Sequence, residues 1–197
     1  MDTIRTFVAV ELPAEIRKRL ADTQSQLRGF MGRAEKAVRW SRADGVHLTL
    51  QFLGDVPPGS FDAILEAVRA GCAGALPVDL ILGHIGAFPT VEKPRVLWLG
   101  LEGHAAQLST LQAAISRQLG VLGYQPDKPF KPHITLGRVR EHATRDELTG
   151  ISRALQDVAG KSTAHPLFTV HQVSLMKSDL QPAGAVYTAL GVVELGN

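Results

Sequence analysis

Two short segments of the chain repeat a pattern of residues that suits proton transfer. "HLTL" begins at His47 and "HITL" at His133, so each segment has a histidine, an aliphatic residue, a threonine and a leucine. Histidine exchanges protons close to neutral pH because its ordinary pKa is about 6.5. A threonine hydroxyl donates hydrogen bonds to developing negative charge. The repeated pattern therefore predicts an acid and a base that work together.

Chemistry at phosphorus fits this pattern better than the alternatives. In an in-line displacement the attacking and leaving oxygens lie on opposite sides of phosphorus, so the proton acceptor and donor approach from opposite walls of a groove. A metal site usually requires three or four ligands, and neither segment supplies a nearby second ligand. The sequence also lacks the Gly-x-Ser-x-Gly motif of a serine nucleophile. We therefore predict phosphoryl transfer by His47 and His133, with Thr49 and Thr135 holding the phosphate.

Both segments lie in runs that are typical of β-strands. Alternation along a strand places His47, Thr49 and Gln51 on one face, and the intervening apolar residues, together with Phe52, on the other. The second segment repeats this arrangement. Either copy alone is better explained by the solvated face of an amphipathic strand. A solvated face has no reason to repeat the same residues, and the recurrence favours a shared groove.

The rest of the chain predicts an α+β fold. Helical spacing follows "PAEIRKRLADTQSQLRGF", the stretch around Phe61 to Val68, "HAAQLSTLQAAISRQLGVLG" and "ATRDELTGISRALQDVAG", whose Thr144 and Glu147 form a capping box. Strand-like runs include "RTFVAVELP", "VRW", a hairpin of "ALPVDLILGHIGAF" with "RVLWLGLE", and a final pair, "HPLFTVHQVSLMKSDL" and "AVYTALGVVEL", around a "QPAG" turn. We expect one domain, residues 1–197, built from two pseudo-symmetric lobes of largely antiparallel sheet flanked by helices, with the active-site groove between them.

Composition narrows the class of protein. The chain has 197 residues, 45% of them hydrophobic, which is enough for a sizeable core. The formal charge of +2 is too mild for a protein that coats long nucleic acid. A single cysteine, Cys72, excludes an internal disulfide, and the apolar run from Phe7 to Val10 is too short for a membrane span. We expect a monomeric cytoplasmic protein with no membrane association and no protein partner.

A family resemblance extends along nearly the whole chain. "RTFVAVELP", "HLTLQFLGDV", "PRVLWLGL", "KPFKPHITLGRVR" and "VSLMKSDLQPAGAVY" together resemble the 2H phosphoesterase superfamily, in particular its bacterial and archaeal RNA 2′,3′-cyclic phosphodiesterases, once described as 2′-5′ RNA ligases. The resemblance implies that RNA ends with a 2′,3′-cyclic phosphate are opened to 2′-phosphates without a metal or other cofactor. It also implies that His133 is the base toward water and His47 the acid toward the 3′-oxygen.

Three further residues are expected to bind substrate. Arg138 matches a basic position in the family's second motif, but strict alternation puts it on the face opposite His133, so the strand must bulge at Gly137 or the side chain must reach around the strand end. Lys131 belongs to a run of basic residues, with Lys128, Arg138 and Arg140, that would attract an RNA backbone. Phe7 resembles an aromatic position of the family's nucleotide pocket, although core packing is the commoner role of a strand phenylalanine.

Two other functions stay open on the residues alone. One is a phosphodiesterase or ligase that acts on 2′-5′ linkages or on small cyclic nucleotides, which product analysis on a panel of substrates would separate. The other is a non-catalytic module that binds RNA or nucleotides. Binding that survives the loss of both histidines, without turnover, would indicate such a module.

Overall fold

The computed structural model describes residues 3–42, 45–159, 166–181 and 184–196. Within them the α-helices are α1 (Ala14–Met31), α2 (Phe61–Cys72), α3 (Ala105–Val121) and α4 (Arg145–Ala159). The strands are β1 (Ile4–Glu11), β2 (Val38–Trp40), β3 (His47–Val56), β4 (Val78–Pro89), β5 (Pro94–Gly103), β6 (His133–Val139), β7 (Leu167–Val170), β8 (Gln172–Gln181) and β9 (Gly184–Glu194). Short 3₁₀ helices lie at Gly32–Ala37 and Pro58–Ser60.

The strands form two sheets. Sheet A has the order β3-β1-β8-β9 and sheet B has the order β2-β6-β5-β4-β7. Every strand pairing in the described part of the chain is antiparallel. Helices α2 and α3 pack together, α2 against β9 and α3 against β3, while α1 packs against α4, which contacts β4 and β5. The expected α+β fold, with antiparallel sheets flanked by helices, is confirmed.

One continuous core connects the two sheets. It includes Val8 and Leu48 from sheet A, Leu97 and Ile134 from sheet B, and aliphatic side chains of all four helices. Removing this apolar surface from water is the main driving force that holds the sheets together. Because each sheet directs one face to the core, its other face is free to carry polar residues.

Near the C-terminus the chain passes from one sheet to the other. The expected single strand through residues 165–180 was wrong, because β7 pairs in sheet B and β8 pairs in sheet A, with a break at His171. The core residues show the reason, since Phe168 and Val170 alternate into the main core and the next residues to enter it are Val173 and Leu175, one residue out of phase. His165 at the start of this segment, and residues 182–183 of the expected turn, lie outside the described residues.

Two local predictions are confirmed. The backbone N–H of Thr144 donates to Oε2 of Glu147 at 2.7 Å, and the N–H of Glu147 donates to Oγ1 of Thr144 at 3.3 Å, which is the capping box at the start of α4. Strands β4 and β5 form the expected hairpin. None of the helices in the described ranges is long and apolar enough to cross a membrane.

Candidate active site

The two strands that begin with a histidine lie side by side, although they belong to different sheets. Strand β3 forms the edge of sheet A, and β6 is the neighbour of the edge strand in sheet B. Leu48 and Ile134, which follow the histidines, are completely buried in the core. The histidine and threonine of each strand are half-buried on the other face. The fold thus brings the strands that carry the two motifs together.

Each histidine ring is held by its own backbone. Nδ1 of His47 lies 2.9 Å from the carbonyl oxygen of Gly45, and Nδ1 of His133 lies 2.6 Å from that of Lys131. A carbonyl oxygen only accepts, so these contacts assign the proton to Nδ1 in both rings. Nε2 is consequently the atom at which each ring gains or loses a proton.

Aromatic residues of sheet A pack around His47. Its ring stacks on Phe7 with centroids 4.6 Å apart and an interplanar angle of 28°, and Tyr187 meets it edge to face at 4.8 Å. Phe7 is only 1% exposed, so its ring packs against the imidazole and has almost no surface open to a substrate. Phe52, 6.0 Å from Phe7 and 53% exposed, presents the open aromatic surface here. A role for Phe7 in substrate binding stays a prediction.

A different aromatic group supports His133 in sheet B. Phe88 meets its ring edge to face at 5.1 Å, and Phe88 rests on Trp98 at 5.0 Å. The indole lies directly over Gly86, where a Cβ atom would collide with it, so glycine is required at this position. The ammonium group of Lys131 lies 5.5 Å from the centre of the Phe88 ring. The edge-to-face contact with Phe88 therefore positions the ring of His133, and Lys131 places a cation over the same phenylalanine.

A β-bulge decides where Arg138 points. The pairing of β6 with β5 skips Leu136, between Thr135 and Gly137. The extra residue shifts the alternation by one, so Gly137 is buried and Arg138 is exposed on the face of His133. A Cβ atom at position 137 would come within 2.8 Å of a side chain of β2, which explains the glycine. Of the two explanations the sequence left open, the structure has the bulge.

Strand β3 contains a bulge at the matching place. Its pairing with β1 skips Leu50, and Gln51 turns inward, where it is 4% exposed and its Nε2 donates to the carbonyl of Tyr124 at 2.9 Å. Phe52 then faces outward. The prediction that Gln51 shares a face with His47, with Phe52 opposite, was wrong because strict alternation does not account for a bulge.

The charged surroundings of the two histidines differ in sign. Burial lowers the pKa of both His47 and His133, and the hydrogen bond to the backbone carbonyl opposes this effect in each. For His47 the negative charge of Glu11 also opposes it, whereas for His133 the positive charge of Arg138 lowers the pKa further. Glu11 is the cross-strand partner of His47 in the β1–β3 pairing.

The structure gives contacts near His133 for two of the four predicted basic residues. Lys131 and Arg138 are the two whose contact or charge reaches the surroundings of His133. Lys128 lines a separate surface groove beside α3, and Nε of Arg140 donates to the carbonyl of Lys36 at 3.1 Å. Attraction of an RNA backbone near the site would therefore depend on Lys131 and Arg138.

Sequence reasoning missed several residues that support the histidines: Glu11, Phe88, Ser174 and Tyr187. Glu11 could have been found, because alternation along β1 puts it on the face of Phe7. The contact of Tyr187 with His47 depends on the order of four strands, which no local pattern reveals. Among the described residues, no three His, Cys, Asp or Glu side chains come together in a group that could hold a metal ion.

A family model covers most of the chain. The model of the 2′-5′ RNA ligase superfamily matches residues 13–182. The chain therefore belongs to this superfamily, and the resemblance to the 2H phosphoesterases is confirmed.

Individual relatives are similar in sequence to this chain over nearly their full length. A protein of Methanothermobacter thermautotrophicus named RNA 2′,3′-cyclic phosphodiesterase is 33% identical over 98% of this chain and 99% of its own. A protein of the same name from Archaeoglobus fulgidus is 31% identical over 97% of this chain and 100% of its own. The crystal structure of E. coli LigT complexed with 3′-AMP superposes with a TM-score of 0.73 at 28% identity, covering 100% of both chains.

Proposed function

We propose that the protein hydrolyses RNA 2′,3′-cyclic phosphate ends to 2′-phosphomonoesters without a metal ion. The observation that carries this proposal is the matched pair of histidines, each with Nδ1 bound to its own backbone and Nε2 left for proton exchange. The names of the relatives support the choice of substrate. The 3′-AMP complex of LigT shows that a protein of this fold binds a ribonucleotide.

In the proposed reaction His133 is the base and His47 the acid. Nε2 of His133 takes a proton from water as the water oxygen forms a bond to phosphorus. The bond between phosphorus and the 3′-oxygen breaks on the opposite side, and Nε2–H of His47 gives its proton to that oxygen. His133 ends the reaction protonated and His47 neutral, and exchange with solvent restores both. The charges of Arg138 and Glu11 favour these starting states.

The remaining residues act on the phosphate and on the ring positions. Thr49 and Thr135 lie on the faces of the two histidines, where their hydroxyls would donate to the non-bridging oxygens. Arg138 would add a charge-assisted contact, which is the stabilisation that a metal ion gives in other phosphodiesterases. Lys131 would attract the RNA backbone, and Phe7 would act on substrate mainly through the ring of His47.

A product assay with two variants tests this function. We expect the purified protein to convert a short RNA ending in 2′,3′-cyclic phosphate to the 2′-phosphate in the presence of EDTA. His47→Gln and His133→Gln should each lose this activity, whereas His142→Gln, at an exposed position, should retain it. Absence of product, full activity of either site variant, or loss of activity with EDTA alone would contradict the proposal.

A panel of substrates decides between the open alternatives. Cleavage of 2′-5′ linked oligonucleotides or of small cyclic nucleotides in preference to the RNA end would move the assignment to another phosphodiester. Binding without turnover would favour a non-catalytic module. We also propose that residues 1–197 act as one monomeric domain in the cytoplasm, which gel filtration with light scattering and cell fractionation would test.

A further inference from the structure

The two histidine sites are alike in their local geometry and unlike in their charged neighbours. Glu11 ends strand β1 directly opposite His47. Its Oε1 accepts a hydrogen bond from Oγ of Ser174 at 2.8 Å, and Ser174 on β8 is completely buried. The carboxylate of Glu11 is thus held in place by a hydrogen bond from a fully buried hydroxyl.

Glu11 is the carboxylate whose charge raises the pKa of His47, as the other ionisable groups around the ring show. Tyr187 contacts the ring from β9, and β6, which lies alongside, carries His133 and Arg138. The charged residues of β8, Lys177 and Asp179, pair with each other at 2.9 Å. From the described elements, Glu11 is the carboxylate whose charge reaches the imidazole.

An acid at this position needs such a charge. Stacking on Phe7 and contact with Tyr187 exclude water from the ring of His47, and exclusion of water disfavours the protonated form. A general acid must nevertheless hold a proton at the start of each turnover. A nearby carboxylate stabilises the imidazolium, and its effect depends on being held in place.

We propose that Glu11, fixed by the buried hydroxyl of Ser174, is the positioning residue that keeps the proton on His47 and so assigns it the role of acid. This inference rests on the proposed function. Glu11 does not touch the reacting atoms and acts through the imidazole. Arg138 has the opposite effect on His133, so the two charges together separate the roles of two otherwise similar rings.

NMR titration of the histidines in the whole protein tests the effect of Glu11 on His47 without a measurement of turnover. In Glu11→Gln we expect the pKa of His47 to fall by roughly 0.5–1 unit, while that of His133 stays within about 0.2 unit. Glu11→Asp keeps the charge and should restore part of the change. Ser174→Ala should give an intermediate fall, because the carboxylate stays but loses its anchor. Asp179→Asn is the matched control, since it removes a carboxylate from the same sheet.

The kinetic readout follows from the same titration. At a pH above the pKa of His47, kcat/KM of Glu11→Gln should fall about threefold to tenfold, since the protonated fraction of the acid falls by that factor. An unchanged pKa of His47, or an equal change in His133, would overturn the inference even if hydrolysis proceeds. If the pKa changes as expected but no cyclic phosphate is hydrolysed, the proposed function fails and the electrostatic coupling stands.

Discussion

The His47 site in sheet A and the His133 site in sheet B are built by the same local rules. In both, Nδ1 bonds to the backbone carbonyl two residues earlier, an aromatic ring packs against the imidazole, and a bulge occurs at the leucine that follows the threonine. The residue turned outward by the bulge differs, since it is Phe52 in one strand and Arg138 in the other. The charge beside the ring differs as well.

This difference shows that the orientation of the two rings and their roles as acid and base have separate causes. The shared backbone bond orients both rings for proton transfer at Nε2, and on its own it does not distinguish an acid from a base. The distinguishing features come from neighbouring strands and from the bulge: Glu11 beside one ring and Arg138 beside the other. A repeated motif can therefore supply two equivalent groups, and the surroundings then give them opposite tasks.

Removing either ring should have the largest effect. We expect His47→Gln and His133→Gln each to reduce kcat about 10²–10⁴-fold, which is the usual contribution of general acid or base catalysis. The double variant should lose little more, because the two groups act in one step. Single-turnover kinetics would measure this. Additive losses would show that the histidines act independently.

Arg138 should rank next. Arg138→Gln removes a charge-assisted contact to phosphate, and we expect kcat/KM to fall about 10–100-fold. The pKa of His133 should rise, because a positive charge that lowered it is gone. Arg140→Gln is the matched control, since Arg140 donates to Lys36 instead of facing the site. Equal losses of kcat/KM in the two variants would show that Arg138 contributes only as a general surface charge.

The threonines should contribute less. Thr→Val keeps the branched shape that suits a strand and removes the hydroxyl, so we expect Thr49→Val and Thr135→Val each to lower kcat about 3–10-fold. Circular dichroism would check that both variants fold. If both retain full activity, the hydroxyls do not hold the phosphate and the repeated threonines have only a structural role.

The smallest effect is on stability at acidic pH. Both histidines have a pKa in the folded state below the ordinary value, so the unfolded chain binds protons first as the pH falls. The free energy of unfolding should therefore be highest above about pH 6.5 and decline as the pH falls. The decline should end once the pH is below the folded-state pKa values of both histidines. Urea unfolding from pH 7.5 to 4.5 would show a gentler slope in His47→Gln and His133→Gln. Unchanged slopes would contradict the stated direction of the pKa changes.

The sequence predicts the elements and the paired motif well, and the reasons are local. Strand alternation predicted the buried Leu48 and Ile134, and the spacing of Thr144 and Glu147 predicted the start of α4. The bulge near Gly137 was one of two explanations that the sequence left open for Arg138, but the bulge in β3 was not predicted, because an extra residue in one strand becomes visible only against its partner. The positions of Gln51 and Phe52 were therefore wrong.

Features that depend on strand order were also beyond the sequence. The contact of Tyr187 with His47 and the hydrogen bond from Ser174 to Glu11 join strands that are distant in the chain. The passage between sheets at His171 was missed because both flanking segments have the same β-forming character, and only the phase of the residues that enter the main core differs.

A substrate with sulfur in place of the bridging 3′-oxygen tests the division of roles most directly. A thiolate leaves without protonation, so an acid is no longer needed, whereas the attacking water still requires a base. We expect this substrate to restore most of the rate lost in His47→Gln and little of that lost in His133→Gln. Restoration in His133→Gln instead, or equal behaviour of the two variants, would contradict the account.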